Sequence, residues 1–158
     1  MMLRLALVLS SVAALLGFAA GANATPPSPV SGSETITGAT ATPRQTADGN
    51  TFVATTLTGT ISGSFTGTFQ AEFTEITHST GRTNDVRGTF TCTCTIGGKS
   101  GTITFRFEGT GTVGPPPVSE IHGETIGGTG GLANLHSNVT VEVVGPAITY
   151  TGTAHFDS

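Results

Sequence analysis

The chain has 158 residues and carries 10 acidic against 6 basic side chains, a formal net charge of −4, with only 10% of its residues charged. That length suits one domain, and the basic residues beyond the first two dozen positions, Arg44, Arg82, Arg87, Lys99 and Arg106, are too scattered to make the cation surface that nucleic acid requires. With 23 glycines, no tryptophan and threonine in period-two alternation, the composition excludes a helical bundle and predicts an all-β domain.

Residues 1–24 read as a secretory signal. Arg4 supplies the positive start, Leu5 to Ala20 the apolar run, and Ala22-Asn23-Ala24 an A-x-A cleavage site ahead of Thr-Pro-Pro. The apolar run is shorter than the ~20 residues that span a bilayer, and no cysteine follows it to take a lipid. The expected product is secreted or periplasmic, begins near Thr25 and keeps no membrane anchor after cleavage. Residues 25–33, TPPSPVSGS, read as a disordered Pro/Ser linker, and residues 34–158 as the β-barrel domain.

A first strand is expected over 34–42 and a polar loop over 43–50. The longest alternation follows, with Leu57, Gly59, Ile61, Gly63, Phe65, Gly67, Phe69, Ala71 and Phe73 on odd positions and polar residues between them. It is too long for one ordinary strand, so two strands parted at Gly63-Ser64 are expected. A turn at 78–82 leads to the hairpin 89–111. Folded about Gly98-Lys99, it pairs Phe90 with Phe107, Cys92 with Phe105 and Cys94 with Ile103, placing the large apolar residues on one face and threonine on the other. Three prolines make 113–119 a loop, 120–126 is a short strand, and 132–135 is at most a helical turn. In the last hairpin Val143 faces Ile148, Val141 faces Tyr150 and Val139 faces Gly152. About eight two-faced antiparallel strands result, the number at which a sheet closes into a barrel.

The stretches TLTGTISGSFTGTFQAEF, TFTCTCTIGGKSGTITFRFEGTG and ETIGGTGGLANLHSNVTVEV, in this order, resemble a family of small bacterial secreted proteins of unknown function with an allene oxide cyclase-like barrel, related to the calycin barrels. In that family a Thr/Gly-rich strand pair precedes a G-G-K/R-S-G hairpin, here residues 97–101, and a later G-x-G-x-L-x-x-L turn, here residues 128–135. The resemblance spans residues 51–156. It implies a single antiparallel, lipocalin-like β-barrel of about eight strands. It implies no activity, because the motifs are structural turns, and no catalytic motif of the cyclase can be matched.

Cys92 and Cys94 face the same way, and both buried thiols and a local disulfide stay open. Their Cβ atoms on a regular strand would lie about 6.5 to 7 Å apart against the ~3.8 Å a disulfide prefers, whereas secretion favours oxidation. His78, His122, His136 and His155 lack metal-ligand spacing and read as surface residues, so no metal or other cofactor is expected. Glu120, His122 and Glu124 read as a solvated row rather than an acid/base set. Residues 128–133 fit G-x-G-x-x-A formally but open no helix, which excludes a dinucleotide site.

The leading functional reading is a barrel interior walled by Phe65, Phe69, Phe73 and Phe90 together with Cys92, Phe105, Phe107 and Tyr150. Gly59, Gly63 and Gly67 would leave room there for a small, apolar, uncharged ligand. Its rival is a structural barrel whose phenylalanines fill the interior and leave no ligand site. A cyclase or isomerase would need acid/base residues that the sequence does not identify, so no catalytic residue is assigned and enzymatic activity stays open. A surface binder built on the ordered hydroxyls of Thr89, Thr91, Thr93, Thr95, Thr102 and Thr104 meets the objection that a coiled sheet does not hold such an array flat. Nothing in the sequence fixes the oligomeric state.

Overall fold

Strands that alternate apolar and polar residues have one face to hide and two edges to satisfy, and a closed barrel does both. The computed structural model, which describes residues 25–157, has this architecture. Eight antiparallel strands close in sequence order: β1 Ser28–Ala47, β2 Asn50–Gly63, β3 Thr66–Thr77, β4 Thr83–Ile96, β5 Lys99–Thr112, β6 Val118–Gly128, β7 Leu135–Val144 and β8 Ala147–Phe156. The expected signal at 1–24 lies outside the described residues.

Closure runs through the segment whose composition argued against structure. Residues 25–33, expected to be a disordered linker, supply the first part of β1, which pairs with β8 from Ser28 opposite Ala154 to Glu34 opposite Ile148. Val30 is only 5% exposed. Without this pairing β8 would present an open row of backbone donors and acceptors, so the tertiary ladder overrides a local sequence rich in proline and serine. Thr25 is tied to the same strand: its N–H donates to the Phe156 carbonyl at 3.1 Å, and its Oγ1 accepts from the Phe156 N–H at 2.9 Å.

The expected loop over 43–50 is also mostly strand. The β1–β2 ladder continues to Ala47 opposite Asn50, and only Asp48 and Gly49 turn, with φ of 51° and 78°. Positive φ at both central residues is what a two-residue hairpin asks for, and Asp-Gly supplies it. The β4–β5 hairpin turns in the same way at Gly97 and Gly98, with φ of 56° and 78°. Phe90 therefore faces Phe105, Cys92 faces Ile103 and Cys94 faces Gly101, a register two residues from the expected one. A shift of two preserves the facing of every side chain. The chain breaks between β2 and β3 at Gly63, as expected, and the β7–β8 pairs are those read from the sequence.

Inside, one half of the barrel is filled. The turn Gly130–Leu132 folds across one end, and Leu132 and Leu135, 0% and 2% exposed, join Val30, Phe65, Cys94 and Ile103 in one core cluster. Cys92 and Cys94, left open between thiols and a disulfide, are joined to each other. Outside, Thr35, Thr60, Thr68, Thr93 and Thr102 stand opposite one another across five strands. Hydroxyl pairs such as Thr91 with Thr104 at 3.2 Å and Thr95 with Ser100 at 2.7 Å knit this face together.

Candidate functional site

The phenylalanines of β3, β4 and β5 reach the interior because they share the inward phase of three neighbouring strands. Tyr150, Phe65, Phe105, Phe90 and Phe69 form a continuous aromatic chain, with centroid separations from 4.7 to 6.1 Å. Phe73 and Phe107 make a separate pair at 5.9 Å, nearer the end that carries the β3–β4 and β5–β6 connections. Above the aromatic chain the barrel is not filled. A cavity of about 260 Å³ opens there, and Phe65, Phe73, Phe90, Cys92, Phe105, Phe107 and Tyr150 border it, with Leu57, Ile61, Val139 and Val141 completing the apolar wall.

Phe69, expected in the same wall, is not among the lining residues. Its ring stacks on Phe90 at 4.7 Å, and its edge fills the space over Gly59, where a Cβ would stand 2.6 Å from Cζ. The expectation that Gly59, Gly63 and Gly67 leave ligand room is therefore corrected. Cβ atoms there would lie 2.3 Å from the Thr35 carbonyl oxygen, 2.4 Å from that of Ser31 and 2.2 Å from that of Thr93. These glycines admit the neighbouring backbone rather than a guest. The glycine that opens the cavity is Gly123 on β6, a lining residue whose added Cβ would meet only the Val139 Cγ2 at 3.2 Å before anything closer than 3.9 Å.

Four polar residues, Glu34, Glu75, Asn84 and Ser119, border this space together with the Tyr150 phenol. Glu34 on β1 faces inward between Ile61 of β2 and Ile148 of β8. Burial pushes its carboxyl from an ordinary 4.5 up to about 7. The Tyr150 hydroxyl accepts from the Phe65 N–H at 2.9 Å and donates to the Ser62 carbonyl at 3.2 Å. Burial raises the pKa of this phenol, the Phe65 backbone hydrogen bond opposes the rise, and the Glu34 carboxylate adds to it. Asn84 Nδ2 donates to Glu75 Oε1 at 2.7 Å, and Asn84 Oδ1 is buried without a partner among the described residues. Ser119 stands beside them at the mouth.

Glu34 is the residue that sequence reasoning missed. Val30, Gly32, Glu34 and Ile36 share one phase in the sequence, but the Pro/Ser composition of 25–33 argues for a linker and leaves Glu34 with no strand before it. Thr37 is then an extra residue in β1, so the inward phase changes from even positions to odd ones, with Ala39 opposite Leu57.

The other candidates lie on the outside. His122 contacts Glu120 Oε1 and Thr140 Oγ1, and Arg106 pairs with Glu124, so the row on β6 is solvated. His78 faces Asp85 at 3.1 Å, while His136 and His155 both approach Asp157. Among the described residues no three His, Cys, Asp or Glu side chains converge as a metal site would require.

No family model matches the chain, and no curated protein matches it. Its fold is similar to that of a protein of unknown function from the DUF3224 family of Shewanella oneidensis MR-1, whose crystal structure was determined at 1.84 Å. The two share a TM-score of 0.67 at 15% sequence identity, over 84% of this chain and 99% of that one. Likeness at that identity shows the fold, an all-β antiparallel ring, and nothing of activity. The allene oxide cyclase-like family that the turn motifs resemble is not shown by it.

Proposed function

We propose that this protein binds a small molecule with an apolar body inside its barrel, and that it does so outside the cytoplasm. The observation that carries the reading is the cavity of about 260 Å³ walled by phenylalanine and aliphatic side chains in a barrel otherwise packed shut. A lining of this kind offers dispersion contacts and shape, the usual terms of small-molecule affinity. The rival, a filled structural barrel, describes only the half closed by Leu132 and Leu135. Export is supported by the A-x-A site at 22–24 and by Thr25, which is already bonded to β8 one residue beyond that site.

A second reading, proton-transfer catalysis, rests on one observation, the inward Glu34 carboxyl with a pKa of about 7. Binding needs no further residue. The test is calorimetric titration of the protein with a neutral aromatic alcohol, phenethyl alcohol, beside Gly123→Leu. Gly123 lines the cavity, and an added Cβ there requires the Val139 methyl at 3.2 Å to shift. Saturable binding to the wild type, weakened at least tenfold in the variant, is expected. Equal binding by both, or none by the wild type, contradicts the reading.

A further inference from the structure

We infer that the molecule taken into this cavity is a lipophilic amine, an apolar body bearing one ammonium group. The inference rests on the binding reading above and deepens it, and it starts from the polarity of the wall. Among the described residues that line the cavity there is no Lys, Arg or His, whereas two carboxylates, Glu34 of β1 and Glu75 of β3, border it. Of the remaining polar groups only the Ser119 hydroxyl is a donor without a hydrogen-bond partner among the described residues. Asn84 Oδ1 is a buried carbonyl oxygen with no donor among them, and the Tyr150 hydroxyl spends its proton on the Ser62 carbonyl. Above the Glu34 pKa an anionic ligand such as a fatty acid would meet two like charges and no more than the single hydroxyl of Ser119 as a donor. A neutral hydrocarbon would leave Asn84 Oδ1 unsatisfied, which carries a penalty of its own.

An ammonium group answers each of these features. It brings three donors and no acceptor, and a charge opposite to that of the two carboxylates that border the cavity. The cost of taking Glu34 out of water is met on folding, so the ligand has only its own desolvation to offset. The apolar wall bounds the rest of the molecule. At about 30 Å³ for each water-sized atom, the cavity has room for about nine non-hydrogen atoms.

The groups facing Glu34 set the pH dependence. From β2 there are only Leu57 and Ile61, from β8 Ile148 and the Tyr150 phenol, and from β3 Glu75 paired with Asn84. With its pKa at about 7, Glu34 is largely protonated at mildly acidic pH. An arriving ammonium favours the carboxylate, so binding there must release a proton, and above that pKa it need not.

The experiment is calorimetric titration of the protein with three matched probes: phenethylamine, phenethyl alcohol and phenylacetate. Near pH 8, roughly one unit above the Glu34 pKa, the amine is expected to bind at least about tenfold more tightly than the alcohol, and phenylacetate not measurably. Near pH 5 that advantage should shrink, and amine binding, unlike alcohol binding, should release close to one proton, seen as a buffer-dependent enthalpy. Glu34→Gln should abolish the advantage while leaving alcohol binding in place. If that variant does not fold, the wild-type comparison across pH carries the same test. Equal affinity for amine and alcohol, or an amine advantage that survives both Glu34→Gln and low pH, overturns the amine inference and leaves the cavity reading standing. Tightest binding by phenylacetate overturns it as well. Failure of all three probes to bind overturns both.

Discussion

Phe105 and Thr104 are neighbours in the chain and live on opposite sides of the wall. Phe105 is 6% exposed and touches Phe65 and Phe90 edge to face, while the Thr104 hydroxyl meets Thr91 on the outer surface. Phe105→Ala is expected to cost about 3 to 5 kcal/mol in urea melts, and Thr104→Ala well under ~1 kcal/mol. Equal losses would contradict the assigned facing. Glu34 gives the residue scale its pH signature. Its carboxyl binds a proton more tightly in the folded chain, with a pKa of about 7, than in the unfolded chain at 4.5. The sign follows: between those values the folded state holds the extra proton, so raising the pH through this window destabilises the protein, by on the order of 3 kcal/mol. Stability is fully present below the window and lost above it. Glu34→Gln should flatten this part of the profile in melts taken across pH, and an unchanged slope would remove Glu34 from the interior. The phenylalanines were legible in the sequence because each sits in an unbroken alternation. Glu34 was not, because a carboxylate on an apolar phase ordinarily argues for the outside.

At the scale of elements, what decides the hairpins is how each glycine is used. Gly98 has φ of 78° in a two-residue turn with nothing within 4 Å of an added Cβ, so Gly98→Ala carries only the backbone penalty of about 1 to 2 kcal/mol. Gly63 has φ of 106° and an added Cβ only 2.4 Å from the Ser31 carbonyl oxygen, so Gly63→Ala adds a clash to the strain. Gly63→Ala is expected to be the more damaging of the two in thermal melts, and the reverse order would contradict the described bend between β2 and β3. The sequence indicated that glycines bend the chain at 63 and in the β4–β5 turn. The turn's location by one residue, the extra Thr37 in β1 and the strand character of 25–33 escaped it. β8, at the far end of the chain, fixes the start of β1, pairing with β2 accommodates the extra Thr37, and the β4–β5 register follows from a turn at Gly97-Gly98 rather than Gly98-Lys99.

For the whole molecule, alternation, strand count and turn spacing were enough to predict an all-β barrel of about eight strands. Whether such a barrel is full or hollow depends on how side chains from different strands meet at the same height, and alternation along single strands carries no such information. Here Phe69 fills the space over Gly59, whereas Gly123 borders the cavity and an added Cβ there meets nothing closer than 3.9 Å except the Val139 methyl at 3.2 Å. One half is therefore a packed core and the other a cavity, and the central claim is that the second half accepts an apolar guest. Diffraction from crystals of the protein under xenon pressure tests that claim most directly, because xenon enters apolar cavities without needing hydrogen bonds. The account predicts an ordered xenon site bordered by Phe73, Phe107 and Val139 in the wild type and none in Gly123→Leu. An interior filled by its own side chains with no xenon between those residues would contradict it.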